Sequence, residues 1–362
     1  MTTHTQDARR THLENDGGPT IRNLLLRQSG DTASRRFLDN YRDLLALPAV
    51  SHWRSKIPNE VSTTSIMGSS DACFENSYGK LVHFGLSASD IITRSQLRSY
   101  VSFLSSDRTN NVYEFLARYV VAGYLYASGC QDEEAQKFVE GRIDRLHDFS
   151  TQSPLKFDIY GEGGTSGIPK AHKNKKVVNP DLYEGGELIL PLIHDIFIFS
   201  RIYNTVSAAY RTKIDAIIDY VAHEEYQSLD YGYGLVRSEK NRFHFMGWSA
   251  HLPLFNAQLS VDYFRKGLIF RLALFSEFKN RRIQSWRRSM LQMIDEFRID
   301  EIRYCFPGDL LPETPNSYFL NGRHTALNEN RRQKSGRILE STYYAYLANR
   351  VDGTPQDSYG TP

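Results

Sequence analysis

From residue 111 to 128 the chain is apolar on nearly every side: Val112, Phe115, Leu116, Tyr119, Val120, Val121 and Tyr124 leave no polar face. A helix of that kind has to be enclosed by other elements, so it predicts an interior helix and dictates what surrounds it. The neighbouring segments have the matching character. Phe138, Arg142, Ile143, Leu146 and Phe149 form a stripe at helical spacing, with charges opposite. Asp132, Glu133 and Glu134 place negative charge where that helix's dipole favours it. Tyr210, Ile214, Ile217 and Val221 repeat the period, as do Trp286, Met290, Met293 and Phe297. Helices are expected near 34–46, 71–85, 95–105, 111–128, 132–149, 188–204, 209–223, 258–279, 282–297 and 334–349. With no good alternating strand between them, the fold class is all-α, built from paired antiparallel helices.

The 362 residues carry 44 Lys and Arg against 42 Asp and Glu, with the signs interspersed. No basic stripe exists to neutralise a phosphate backbone, so nucleic acid is not an expected partner. No run approaches the ~20 apolar residues of a membrane span; the oiliest, Leu188–Phe199, is broken by Pro191, His194 and Asp195. Cys73, Cys130 and Cys305 are odd in number and far apart, which fits reduced thiols and a cytoplasmic chain. Residues 1–20 and 351–362 lack periodicity and read as disordered tails around a single domain at 21–350. Two long connections interrupt it, Thr151–Glu187 and Glu224–Asn256, both rich in aromatics and histidines and of a length that points to function.

The 22 tyrosines and 20 phenylalanines could line a large apolar cavity with polar tips. Within 224–256, Tyr231, Tyr233, Phe245 and Trp248 accompany His244 and His251, two imidazoles that could move protons beside an aromatic wall. Gly232, Gly234 and Gly247 would let the backbone turn closely around a ligand. His194–Asp195 interrupts an apolar helix, where a carboxylate is expensive unless functional or paired, with Arg201 or a residue of another helix as candidate partner. Asp158, followed by Tyr160, precedes the glycine run 161–167, read as a mobile lid rather than a nucleotide loop. Lys170, Lys173, Lys175 and Lys176 read as a solvated basic turn. Arg337 is expected to pair with Glu340 across one helix face, or to clamp an anion if that face points inward.

Two stretches resemble a known family. Ile214…Tyr220-Val221…Tyr226…Tyr231-Gly232-Tyr233-Gly234 is similar to the degenerate repeats of the terpenoid cyclase and protein prenyltransferase α/α-toroid superfamily. Arg331-Arg332…Arg337…Glu340-Ser341-Thr342-Tyr343-Tyr344 resembles the C-terminal region of toroid-like proteins. The resemblance spans Ala72–Asn349 and implies an (α/α) barrel or toroid around a deep apolar cavity. The DxDD, DDxxD and Gln–Trp signatures are missing, and Asp71-Ala72-Cys73 has the zinc-binding D-x-C spacing at the wrong end, so no metal site and no cofactor are expected. The leading expectation is a cyclase or isomerase acting on a bulky apolar small molecule. Asp195, His244, His251 or Asp158 would transfer protons. Tyr160, His194, Tyr231, Tyr233, Phe245, Trp248, Arg337 and Tyr343 would shape the pocket, the aromatics stabilising positive charge. The alternatives are a carbohydrate-active barrel using Asp158 and Asp195 as a carboxylate pair, and a non-catalytic helical scaffold.

Overall fold

The computed structural model describes residues 3–106, 111–161, 168, 170–237, 243–255 and 261–349. Among these residues the chain forms sixteen helices: α1 (Thr3–Asp16), α2 (Pro19–Gln28), α3 (Arg35–Leu45), α4 (Pro48–Ser55), α5 (Thr63–Ile66), α6 (Phe74–His83), α7 (Ala88–Ile91), α8 (Arg94–Ser105), α9 (Val112–Ala127), α10 (Glu133–Ser150), α11 (Ile193–Ile202), α12 (Ala208–Val221), α13 (Glu224–Gln227), α14 (Val261–Phe275), α15 (Arg281–Ile294) and α16 (Lys334–Ala348). Strands β1 (Leu235–Arg237) and β2 (Phe243–Phe245) pair antiparallel, with Leu235 opposite Phe245. Among the described residues the protein is thus all-α apart from this ribbon and isolated bridges.

Helix α9 starts where Asn111 caps the Tyr113 N–H, and every residue from Leu116 to Leu125 is buried. Helix α10 starts at Asp132, whose carboxylate accepts from the Glu134 and Ala135 N–H groups. It lays Val139, Ile143, Leu146 and Phe149 against α9 and α12. A Cβ on Gly123 of α9 would come 2.1 Å from Ile198 Cδ1, so this glycine is what lets α11 approach so closely. Contacts run from α6 to α9, α9 to α11, α11 to α14 and α14 to α16. Tyr344 of α16 then meets His83 of α6. Outside this succession, α4 packs on α6, α8 and α10 on α9, α15 on α14 and α16, and α1 on α16. None of the described helices is long and apolar enough to cross a membrane.

One tail expectation needs correcting. Residues 3–16, read as disordered, form α1 and dock on α16. A polar helix is anchored here by few groups: Leu13 is fully buried, Gln6 Nε2 donates to the Asn349 carbonyl, and Arg9 Nε donates to the Ile302 carbonyl under the Tyr304 ring. A face made of one leucine and an arginine stem carries almost no hydrophobic period. The tail at 351–362 and residues 162–167 of the expected lid lie outside the described residues.

Burial of Arg142 in the stripe of α10 demands a counter-charge, and Asp195 of α11 supplies it. Arg142 Nε donates to Asp195 Oδ1 and Nη2 to Oδ2, both at 3.0 Å, and neither side chain is exposed. The remaining guanidinium donors reach the Leu188 and Leu190 carbonyls, while Asp195 Oδ2 also accepts the Leu192 N–H at 2.6 Å. Of the two expected alternatives, the partner is thus a residue of another helix, and Arg201, two turns further along α11, takes no part. A fork-to-fork pair with its other valences filled is the form in which buried charge is tolerated. Asp195→Asn should therefore destabilise the protein by about 3–5 kcal/mol. Asp158, exposed to solvent, should tolerate the same change within about 0.5 kcal/mol. Urea unfolding of the two variants measures both, and equal stabilities would contradict the assignment.

Candidate active site

Helix α6, Phe74-Glu-Asn-Ser-Tyr-Gly-Lys-Leu-Val-His83, is buried along its whole length although half of it is polar. Those polar groups need partners, and most have them. Asn76 donates to the Gly68 and Ser70 carbonyls, and Lys80 donates to the His324 and Ala326 carbonyls beside Glu313. Glu75 differs. Its Oε1 stands 3.2 Å from His194 Nε2 on α11, both side chains are fully buried, and Oε2 has no partner. His194 Nδ1 has none either, nor does the buried Tyr124 hydroxyl of α9. Glu75 adds to burial in pushing the Tyr124 hydroxyl well above its ordinary pKa, so that it stays protonated. An ionised carboxylate can only accept, so His194 Nε2 donates to it and Nδ1 presents a lone pair.

Aromatic rings lead outward from this pair. Trp248 meets His194 edge-on at 5.6 Å and touches Tyr113 and Tyr318 at 6.0 and 6.3 Å. Tyr113 in turn meets His244 at 4.8 Å. Tyr113, His244 and Tyr318 are half-buried, so the line runs from the dyad toward the surface. Burial pushes the Tyr113 hydroxyl up to about 12, with Tyr318 adding to it. The backbone places Trp248 on α11 directly: the Ile193 N–H donates to the Trp248 carbonyl at 2.8 Å, and Leu192 bridges Ser249.

Of the residues singled out from sequence, His194, Trp248 and His244 converge here. His251 does not, although it lies in the same connection. Its Nε2 donates to the Leu229 carbonyl at 3.0 Å and its Nδ1 meets Ser249 Oγ at 2.7 Å, so both ring nitrogens are occupied. Around it, Arg271 donates to the His251 carbonyl and to Tyr231 Oη, while Tyr226 and Tyr233 meet at the Pro191 carbonyl. The glycines expected to admit a ligand admit other chain instead: a Cβ on Gly232 would strike Gly247, and one on Gly234 would lie 2.4 Å from the Lys176 carbonyl oxygen. Tyr160 and Phe245 lie under Lys176 and Lys175 in the exposed basic turn. Tyr343 lines a separate cavity, and Arg337 is half-buried on α16.

The expected Arg337–Glu340 pair is not formed. Glu340 faces inward and accepts from Arg331 and from the Leu327 and Glu329 N–H groups. A surface spacing rule does not reach a carboxylate on the buried face. Asp71, in the D-x-C spacing, accepts from the Asn316 N–H and Lys56 Nζ. Glu75, Tyr113, Tyr124 and Tyr318 were not singled out from sequence. The one signal for Glu75 is its place at the head of a segment with no charged face to turn to water.

Compared with known protein families, curated proteins and solved structures, the chain matches none of them. The site's own geometry is therefore what speaks for its chemistry.

His251 gives a test by pH. Burial, with the nearby Arg271 charge, pushes its imidazole down to about 4. An unfolded chain binds that proton near pH 6.5 and the native one does not, so stability is full above 6.5 and falls as pH drops toward 4. The slope from this one residue is about 1.4 kcal/mol per pH unit. His251→Gln, which keeps a donor for the Leu229 carbonyl, should flatten the stability profile between pH 6 and 4.5 by about one proton. An unchanged slope in urea titrations would show that His251 is protonated in the native state.

Proposed function

We propose that this chain is an enzyme of proton-transfer chemistry, a cyclase, isomerase or lyase, that takes a bulky apolar small molecule into a toroid of paired helices. The observation that carries the proposal is the open valence on each of three buried groups, Glu75 Oε2, His194 Nδ1 and the Tyr124 hydroxyl. A buried polar atom without a partner costs on the order of 1–3 kcal/mol, and three in one place are expected where a ligand completes them. The toroid is supported by the helix succession α6, α9, α11, α14, α16 and its return to α6 through Tyr344 and His83.

In this reading Glu75 holds the His194 tautomer and stabilises the imidazolium, as a carboxylate does behind a catalytic base. His194 Nδ1 takes a proton from the substrate, and the resulting imidazolium or the Tyr124 hydroxyl returns one. Trp248, Tyr113 and Tyr318 give the apolar body its walls and face any positive charge that develops. The carbohydrate reading loses its carboxylate pair, because both Asp195 oxygens are taken by Arg142 and Asp158 is exposed.

Incubation in deuterium oxide with panels of terpenoids and of oligosaccharides, read by mass spectrometry, tests the assignment. Conversion or deuterium incorporation is expected in the first panel. Glu75→Gln and His194→Asn should each lower it by roughly 10²–10⁴-fold while the thermal melt by circular dichroism persists. Trp248→Ala should act mainly on KM. Full turnover in both dyad variants would remove them from the chemistry.

A further inference from the structure

A cavity lies at the other ends of the same two helices. Seven residues after His194, α11 carries Arg201; eight after Glu75, α6 ends in His83. They stand about 10–12 Å along their helices from the dyad. Together with Arg27 and Gln28 of α2 they line a cavity of about 410 Å³, a size suited to a small organic ligand. Its walls include Leu24, Val82, Phe270 and Leu274.

The two arginines that face this cavity are held by rings and an imidazole. Arg118 and Arg142, which are buried, and Arg331, which like Arg27 and Arg201 is half-buried, each have a carboxylate. Arg27 and Arg201 have none within ion-pair distance among the described residues. Arg27 lies over the Phe37 and Tyr41 rings at 5.3 and 5.4 Å, and Arg201 over Phe197 at 5.5 Å. Arg201 Nη2 donates to His83 Nδ1 at 3.3 Å. His83 is kept neutral by burial and by the Arg201 charge, and its Nε2 donates to Tyr344 Oη, which donates to the Thr325 carbonyl. Rings and a neutral imidazole thus orient both guanidinia without neutralising them. Each has an Nε cut off from water with no acceptor, and Gln28 Oε1 beside them has no donor. The last turns of α2 and α11 favour a cation through their dipoles, yet those helix ends leave the two Nε atoms unfilled.

We propose that this cavity binds a monocarboxylate with an apolar body, its head between Arg27 and Arg201 and its chain along the leucine and phenylalanine wall. Two guanidinia and one carboxylate, Glu277, which has an interaction of its own, line the cavity. That balance suits a carboxylate and disfavours a dianion. The site does not depend on the dyad reading.

Calorimetric titration of the full chain with sodium octanoate tests it, with octanol and inorganic phosphate as comparison probes. One saturable site for octanoate is expected, with weaker binding of both others. Arg201→Gln and Arg27→Gln should each weaken octanoate by roughly tenfold or more. Both variants should still melt cooperatively by circular dichroism, so that the lost affinity is read on a folded protein. Glu277→Gln should act in the opposite sense and tighten binding, which separates a charge effect from a damaged fold. Octanol binding as tightly as octanoate, phosphate binding more tightly, or arginine variants that bind octanoate normally would each overturn the proposal. Activity of the Arg201 variant is free to stay normal, so this result and that of the dyad variants are read separately.

Discussion

The Arg142–Asp195 pair is the constraint from which the rest of the interior follows. A guanidinium in the middle of an apolar stripe is tolerable only if each donor finds an acceptor. Those acceptors are the Asp195 carboxylate and the carbonyls of Leu188 and Leu190. Segment 188–195 is thereby fixed against α10, and α11 begins where the Asp195 side chain meets the Leu192 N–H. The adjoining backbone pairs with residues 248 and 249, which brings Trp248 to the ring of His194. One ion pair thus sets the start of a core helix and, through it, the placement of an imidazole and its aromatic neighbour. Asp195 orders the site without facing it.

Buried polar groups in this protein fall into two kinds, and the difference lies in completeness. Lys80 is enclosed by two carbonyls and Glu313, whose carboxyl it helps to hold at about 2. Glu340 has Arg331 and two backbone donors, and His251 has acceptor and donor on its two nitrogens. Each is a closed account of hydrogen bonds and serves to join segments. Glu75, His194 and Tyr124 form an open one, and so do Arg27, Gln28 and Arg201 at the far end. Since α6 and α11 meet through Glu75 and His194 near their starts and through His83 and Arg201 near their ends, they run in parallel. Each open set has one member on α11, His194 or Arg201, beside a side chain of α6, with the remaining members supplied by α9 or α2.

Periodicity alone was enough for the helical class, for the interior position of α9 and for the amphipathic helices beside it, because those features depend on which face of a short segment avoids water. It also marked the His194–Asp195 turn as abnormal, since charge in an oily helix is visible without knowing its partner. Periodicity could not reach α1, whose docking relies on Leu13 and Arg9. Nor could it divide the roles within the abnormal turn: adjacent residues on a helix point about 100° apart, so Asp195 meets Arg142 while His194 meets Glu75. That second pair joins positions 119 residues apart in the chain. Whether a histidine is left with a free lone pair, like His194, or is filled on both sides, like His251, is decided by carbonyls and hydroxyls delivered from remote segments. Those partners exist only once the helices have packed, and so the choice between filled and open polar groups belongs to the tertiary structure.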